Sequence, residues 1–231
     1  MRFGIVVFPG SCDERDACLA AARVEGAQGE FLWHGDGDLK GVDAVVIPGG
    51  FSYGDYLRPG AIARFSPVME SVSRFAASGG PVLGICNGFQ VLCEAHMLPG
   101  ALLTNESLRF VCRQVDVLVE NAKTPFTCDL EAGQRLSLPV KHTTGCYYAP
   151  AELLDEIEEN GQVLMRYAPG SNPNGSLRDI AGVTNAEGNV FGLMPHPEHA
   201  TDPLTGSVDG AGIFRSLVAH CGEAARMTTA A

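Results

Sequence analysis

Residues 81–92 read Pro-Val-Leu-Gly-Ile-Cys-Asn-Gly-Phe-Gln-Val-Leu, and the architecture of the chain follows from this stretch. An apolar run of strand character ends at Cys86, and a helical pattern begins directly after it. The glycines at positions 84 and 88 permit a backbone turn that is too tight for side chains. A strand that turns sharply into a helix at a nucleophile is the elbow of α/β hydrolytic sites. Because the start of a helix favours a thiolate, Cys86 is a candidate nucleophile, with a buried structural cysteine as the alternative.

The sequence around this elbow alternates apolar runs with helical patterns, which is typical of βαβ units over a mostly parallel sheet. Strands are expected at residues 3–8, 28–33, 44–47 and 81–85, and helices at residues 13–26, 61–77 and 89–97. After residue 97, antiparallel-type strands are expected at 110–119 and 135–140, a hairpin at 180–185 and 190–194, and helices at 152–159 and 210–220. The sequence therefore predicts an α/β fold with an antiparallel addition in its second half.

Length, charge and cysteine usage limit the possible functions. The 231 residues are 45% apolar, and we expect one domain over residues 1–222 and a flexible tail at 223–231. The net charge of −11 argues against nucleic acid and anionic membranes as partners. The apolar amino-terminal run is too short for a membrane span and is interpreted as a core strand rather than a signal peptide. Eight cysteines without a secretory signal indicate a reducing cytoplasm, and no metal site is expected because no C-x-x-C pair is present.

A thiol nucleophile needs a general base, and His196 stands out by its setting, Met194-Pro195-His196-Pro197-Glu198. A residue before proline is pushed into extended conformation, in which residues two apart point the same way. His196 and Glu198 are therefore expected on one face, where the carboxylate can orient an imidazole that faces the thiol. A polar strand end held by two prolines is the alternative interpretation.

Acyl transfer also needs donors for the oxyanion. The amide that follows an elbow nucleophile usually supplies one, which here is the N–H of Asn87. The second donor is expected from Pro48-Gly49-Gly50-Phe51, which follows a core strand and whose two glycines let a backbone N–H approach a substrate closely. A simple turn after a strand is the alternative.

These pieces in this order resemble the class I, triad-type glutamine amidotransferases, and within them the family of glutaminase subunits of phosphoribosylformylglycinamidine synthases. The likeness covers nearly the whole chain. It is carried by Phe8-Pro9-Gly10-Ser11, by the long run at residues 48–60, by Gly84-Ile85-Cys86-Asn87-Gly88-Phe89-Gln90, and by the segments at 172–176, 179–182 and 188–198. The resemblance implies the flavodoxin-like fold of the class I amidotransferases, in a single type 1 domain.

The resemblance also implies a role for each site residue. Cys86 would attack the side-chain amide of L-glutamine, with His196 as acid and base and Glu198 holding the His196 tautomer. Gly50 and Asn87 would supply the backbone N–H groups for the oxyanion. The residues implied for binding glutamine are Gly49, Phe51, Gln90, Asn105, Ser107, Arg109 and Phe110.

By the same resemblance, the ammonia passes to a large synthetase subunit, which is joined by a small accessory subunit. The synthetase converts formylglycinamide ribonucleotide to the amidine in de novo purine biosynthesis, and ATP and Mg²⁺ are expected on it. No cofactor is expected in this chain, which also has no G-x-x-x-x-G-K-[ST] phosphate motif.

One departure from the family pattern concerns residues 141–145. Where the family usually has Gly-Glu after the histidine, this chain has Thr143 and Thr144. The change leaves the triad intact, but it bears on docking and on ammonia transfer. Two other functions stay open: another thiol enzyme of the same fold, and a catalytically silent docking subunit.

Overall fold

A computed structural model describes the backbone of residues 1–229 and the side chains of residues 1–223 and 226. The strands are β1 (Arg2–Val7), β2 (Gln28–Trp33), β3 (Ala44–Ile47), β4 (Val82–Ile85), β5 (Ala101–Thr104), β6 (Val111–Val119), β7 (Arg135–His142), β8 (Thr144–Tyr148), β9 (Val163–Tyr167), β10 (Ile180–Thr184) and β11 (Val190–Leu193). The α-helices are α1 (Glu14–Ala22), α2 (Pro67–Ala77), α3 (Asn87–Glu94), α4 (Ala151–Glu159) and α5 (Ala211–Thr229). None of these helices is long and apolar enough to cross a membrane.

Nine strands form one mixed sheet in the order β2-β1-β3-β4-β11-β10-β9-β6-β7. The first five in this order run parallel to their neighbours, and the pairs from β11 to β7 are antiparallel. Strands β5 and β8 form a separate antiparallel pair. The predicted α/β fold, with a mostly parallel sheet and an antiparallel addition in the second half, is confirmed.

The central parallel strands explain why short apolar runs specify this fold. Every residue of β3, β4 and β11 is buried, as expected for strands with both faces covered. Their side chains join a single hydrophobic core that also includes residues of β6, β7 and α5. Both halves of the sheet thus share one core.

Some predicted elements differ from the observed ones for local reasons. The helix expected at 61–77 starts only at Pro67, because proline suits the first helical position but not the interior; a separate 3-10 turn precedes it. Strands β5, β8 and β9 carry no clear alternation and are absent from the sequence-based prediction. The last helix continues to Thr229, so most of the tail predicted at 223–231 has helical backbone, and residues 230–231 lie outside the described residues.

The parallel half places four loops at one edge of the sheet. Because β1, β3, β4 and β11 run in the same direction, the segments after their carboxyl ends lie side by side. These segments contain Asp13, Gly49, Cys86 and His196. Residues far apart in sequence are therefore brought to a common site.

Candidate active site

The backbone at Cys86 has the strained geometry of a nucleophile elbow. Its φ of 51° and ψ of −102° lie in a region that non-glycine residues rarely adopt. A Cβ at position 88 would lie 1.9 Å from the carbonyl oxygen of Ile47, and one at position 84 would lie 2.7 Å from that of Gly88. Both elbow glycines are therefore required by close backbone contact, which holds α3 against the ends of β3 and β4.

His196 and Glu198 form a buried pair beside the elbow. His196 is 0% exposed, and its Nδ1–H donates to Glu198 Oε1 over 2.6 Å. His196 has extended backbone, as expected, but Glu198 lies in a short 3-10 turn that begins at Pro197. The predicted pairing is present in the structure, although its geometry comes from this turn. The bond to Nδ1 leaves Nε2 for the reacting atoms.

The charges in the site favour an imidazolium at His196. Burial by itself would lower its pKa, but the carboxylate of Glu198 and a negative charge on Cys86 outweigh burial and raise the pKa to about 10. His196 Nε2 makes no hydrogen bond of ordinary geometry within the described residues. The Cys86 Sγ lies 3.9 Å from the carbonyl oxygen of Lys141. The arrangement suits a thiolate–imidazolium pair whose proton can be delivered to a leaving group.

Asn87 and Gly50 each have a backbone N–H that fits the predicted role of oxyanion donor. Asn87 is the first residue of α3, so its N–H has no partner within the helix. The N–H of Gly50 is likewise unbonded among the described residues, since the adjoining bridge bonds are made by Cys12 and Phe51. Gly50 has a φ of +144°, and a Cβ there would lie 2.6 Å from the backbone nitrogen of Cys12. Only glycine fits this position.

The side chain of Asn87 connects the elbow to the loop at residues 51–58. Its Oδ1 accepts from the N–H of Ser52 over 3.0 Å, and its Nδ2 donates to Asp55 Oδ1 over 3.2 Å. Burial raises the pKa of Asp55 to about 6, against the lowering effect of the bond from Asn87. Tyr53 has a φ of 54° and Leu57 of 71°, so the loop is held in a strained shape above the elbow.

Asp13 and Lys141 belong to the site, and sequence reasoning missed both. Asp13 Oδ2 lies 3.6 Å from His196 Nδ1, and Oδ1 accepts from Lys141 Nζ and, over 3.2 Å, from His199 Nε2. Burial alone would raise the pKa of Asp13, but His199, His196 and Lys141 hold it well below its usual range. The only sequence signal is that Asp13 follows the carboxyl end of a parallel strand.

Four of these side chains have the donor set of a metal site. Asp13, His196, Glu198 and His199 each place one nitrogen or oxygen within 4.8 Å of the others. The set fits a divalent cation poorly, because the ammonium of Lys141 is already bonded to Asp13 and His196 Nδ1 is bonded to Glu198. Like charge at Lys141 would oppose a cation at this position.

Gln90 and Asn105 are buried, and both make hydrogen bonds to other protein groups. Gln90 accepts from Asn87 Nδ2 over 2.8 Å and donates to the carbonyl oxygen of Thr144. Asn105 donates to the carbonyls of Arg109 and His142, and its Oδ1 accepts from the N–H of Gly145 and from His142 Nδ1. Its amide thus has no free donor and holds the loop at 105–110, and its contact with substrate stays a prediction.

His142 is neutral and structural. It is 4% exposed, and its Nε2 faces Asn174 Nδ2 at 3.4 Å while Nδ1 faces Asn105 Oδ1 at 3.1 Å. Burial, with a smaller contribution from the charge of His196, lowers the pKa of His142 to about 4. In the segment Lys141-His142-Thr143-Thr144, Lys141 therefore contacts Asp13, and His142 holds the antiparallel half of the sheet together.

The remaining predicted binding residues lie around the loops rather than at the thiol. A Cβ at Gly49 would lie 2.7 Å from His196 Cε1, so this glycine lets the loop pack against the imidazole. Phe51 and Phe110 are about half exposed, and Ser107 and Arg109 are exposed. Their contact with substrate stays a prediction.

A cavity of about 1040 Å³ lies at the opposite edge of the sheet, around Gly79, Leu98 and Asn189. It contains none of the predicted site residues. The predicted catalytic residues lie instead at the carboxyl edge of the parallel strands, where ligands bind in open α/β sheets.

A thiol at a nucleophile elbow, a buried His–Glu pair and two free backbone N–H groups define a triad-type thiol enzyme of acyl transfer. The family model of the CobB/CobQ-like glutamine amidotransferase domain matches residues 1–215. The chain belongs to this glutamine amidotransferase family, within the group formed by the PurQ subunits of phosphoribosylformylglycinamidine synthase. The predicted resemblance and class of enzyme are confirmed.

Individual relatives document this grouping. The chain is 61% identical over 219 residues to phosphoribosylformylglycinamidine synthase subunit PurQ of Rubrobacter xylanophilus, covering 95% of this chain and 98% of the relative. It is 58% identical to the subunit PurQ of Streptomyces avermitilis, with 94% and 96% covered. Among solved structures it is similar to a chain of PurLQS from Thermotoga maritima, with 42% identity, a TM-score of 0.87, and 95% and 98% coverage.

A more distant structure shares the fold alone. This is a glutamine amidotransferase of Thermotoga maritima, with a TM-score of 0.59 at 16% identity over 96% of this chain and 97% of that one. The fold thus extends beyond the PurQ group.

Proposed function

We propose that this chain is the glutaminase subunit of a phosphoribosylformylglycinamidine synthase and that it hydrolyses L-glutamine through a Cys86 thioester. The observation that carries the proposal is the Cys86 elbow beside the buried His196–Glu198 pair, in a chain that is 61% identical to a PurQ subunit. A single domain over residues 1–222 would contain the whole site.

The reaction follows from the positions of the groups. The Cys86 thiolate attacks the side-chain amide carbon of glutamine, and the resulting oxyanion accepts from the N–H groups of Gly50 and Asn87. His196 gives its proton to the amide nitrogen, the carbon–nitrogen bond breaks, and ammonia leaves. Water then attacks the thioester with His196 as base, releasing glutamate and restoring the thiol. Glu198 keeps the imidazole in the tautomer that leaves Nε2 facing these atoms.

The ammonia is proposed to pass to a large synthetase subunit, with a small accessory subunit in the complex. The name of the Thermotoga maritima structure, PurLQS, supports such an assembly for that protein. ATP and Mg²⁺ are proposed to act on the synthetase subunit, which would convert formylglycinamide ribonucleotide to the amidine. A cytoplasmic complex would keep the eight cysteines of this chain reduced, in accord with their free state in the structure.

The proposal is tested by labelling with a diazoketone analogue of glutamine, followed by mass spectrometry of the modified residue. We expect modification at Cys86 that excess glutamine prevents, because the analogue must occupy the same site before the thiol attacks it. Glutamate and ammonia release by the complex with the synthetase subunit is measured in parallel.

Two variants make the labelling decisive. Cys86→Ser is expected to remain unlabelled, whereas Cys112→Ser, which changes an exposed cysteine, is expected to be labelled like the wild type. Labelling at other cysteines only, or a complex that releases no glutamate, would instead favour the silent docking subunit. Labelling that glutamine fails to prevent would favour another thiol enzyme of this fold.

A further inference from the structure

A second carboxylate lies beside the catalytic imidazole, and neither the sequence motifs nor the relatives assign it a role. Glu198 Oε1 is 2.6 Å from His196 Nδ1, and Asp13 Oδ2 is 3.6 Å from the same nitrogen. The side chain of Asp13 is only 3% exposed. Its position follows from the topology, because β1 is a direct neighbour of β3 in the parallel half of the sheet.

Asp13 is bonded to three different parts of the site. Its backbone N–H donates to the carbonyl oxygen of Gly49 over 3.2 Å, which ties it to the loop of the proposed oxyanion hole. Its Oδ1 accepts from His199 Nε2 over 3.2 Å and from Lys141 Nζ, which projects from β7. A buried carboxylate is costly unless such partners satisfy it, so this contact set is a built feature rather than an incidental one.

Lys141 carries the connection on to the nucleophile. Its side chain bonds to Asp13, and its carbonyl oxygen lies 3.9 Å from the Cys86 sulfur. Burial would lower the pKa of Lys141, but the Asp13 carboxylate outweighs burial and raises it, so the ammonium stays charged. The Asp13 carboxylate thereby anchors the strand end that faces the thiol, while the Asp13 backbone N–H anchors the loop of the proposed oxyanion hole.

We propose that Asp13 is a positioning residue of this site, whose carboxylate holds Lys141 and His199 in place beside the His196 imidazole and adds negative charge beside the imidazolium. The inference rests on the proposed function, since it concerns the acid–base group of that reaction. The titratable groups that face His196 from the surrounding elements are Asp13, Cys86, Lys141, His142, Glu198 and His199.

The sign of the expected pH effect follows from these charges. A nearby carboxylate stabilises the imidazolium, so removing the charge of Asp13 lowers the pKa of His196. A nearby ammonium does the reverse, so removing Lys141 raises it. Activity is lost at alkaline pH because His196 loses its proton. Removing the charge of Asp13 and removing Lys141 should therefore move the alkaline limb of the pH–activity profile in opposite directions.

The test measures kcat and KM for glutamine across pH, in complex with the synthetase subunit, for Asp13→Asn and Lys141→Met. For Asp13→Asn we expect kcat to fall about 10²-fold, as for a displaced catalytic group. We also expect its alkaline limb to move down by about one pH unit, and that of Lys141→Met to move up. Asp116→Asn, which breaks the exposed ion pair with Arg135, is the matched control and should match the wild type.

A folded Asp13→Asn variant with unchanged kcat and an unchanged alkaline limb would overturn the inference. If the Asp13→Asn variant does not fold, Lys141→Met tests the inference instead. An alkaline limb that is not shifted in Lys141→Met then counts against the inference. A wild-type complex that releases no glutamate refutes the proposed function itself, which is a different outcome from an active wild type with an unaffected Asp13 variant.

Discussion

The proposed reacting groups all follow strands of the parallel half of the sheet, whereas the groups that position them come from both halves. The loops after the parallel strands β3, β4 and β11 supply Gly50, Cys86 and His196. The antiparallel half supplies Lys141 at the end of β7, while His142 and Asn105 join β7 to the 105–110 loop. In the parallel half each motif is short and is visible directly in the sequence. In the antiparallel half the contacts cross long sequence distances, and they position the site without taking part in bond making.

Among changes in the parallel half, removing the proposed nucleophile is expected to have the largest effect on activity. Cys86→Ala should lower glutamine hydrolysis by about 10⁴-fold or more, because no thioester can form. Glutamate release by the complex is the measurement. The change removes one sulfur atom from a buried site, so unchanged circular dichroism should accompany the loss. Appreciable turnover by this variant would place the nucleophile elsewhere.

A smaller loss of activity is expected when His196 is kept but the carboxylate that orients its ring is removed. Glu198→Gln preserves the side-chain shape but can offer an N–H to His196 Nδ1, which favours the wrong tautomer. We expect kcat to fall about 10³- to 10⁴-fold with little change in KM, by analogy with other triads. Steady-state kinetics across pH check this, and a change confined to KM would contradict the orienting role.

The oxyanion loop gives a third test of the parallel half. In Gly50→Ala the added Cβ would meet the backbone of Cys12 at 2.6 Å, and a φ of +144° is strained for alanine. The loop must shift, and losing one oxyanion donor typically costs about 10²- to 10³-fold in rate. Alkylation of Cys86 by iodoacetamide should stay close to the wild-type rate, because the thiol itself is unaltered. Equal losses in alkylation and turnover would show general damage instead.

His142, in the antiparallel half, should affect stability rather than chemistry. The pKa of His142 is lowered to about 4 in the folded state, against about 6.5 when unfolded, so the unfolded chain binds the extra proton between these values. Folding stability therefore falls as pH drops from 6.5 to 4, by up to about 3 kcal/mol from this group. Urea unfolding across this range should give a shallower slope for His142→Asn than for the wild type. Parallel slopes would show that His142 does not carry the effect.

The smallest effect is expected from restoring the family pattern at residues 143 and 144. Both threonines hold their neighbours through backbone carbonyls, to the N–H of Asn105 and to Gln90. The double variant Thr143→Gly with Thr144→Glu should therefore change glutamine hydrolysis by only about twofold, the range of surface substitutions. Glutamate release is measured in the complex with the synthetase subunit. A change of tenfold or more would show that the side chains, and not only the backbone, matter here.

Sequence reasoning predicted those contacts whose residues lie close together in the chain. The elbow at Cys86 and the His196–Glu198 pair each lie within a few residues, so a short pattern contains the whole geometric requirement. Asp13 and Lys141 were missed because they are in direct contact but lie 128 positions apart, so that no local sequence pattern indicates the contact. Asn105 was predicted to bind substrate, and the structure shows its amide filled by protein partners. Strands β5, β8 and β9 escaped prediction because their pairing partners, rather than their own patterns, define them.

Local sequence was enough to specify the class of fold and to predict the nucleophile, the base and the orienting carboxylate. Glycines at 50, 84 and 88 and prolines around His196 restrict the backbone locally, whatever the rest of the chain does. The surroundings of those groups are visible only in the tertiary fold. They are the second carboxylate, at Asp13, the Lys141 ammonium that is bonded to it, and the neutral imidazole of His142. The physical reason is that burial and charge pairing are set by neighbours in space, and a parallel sheet brings those neighbours from distant strands to one edge.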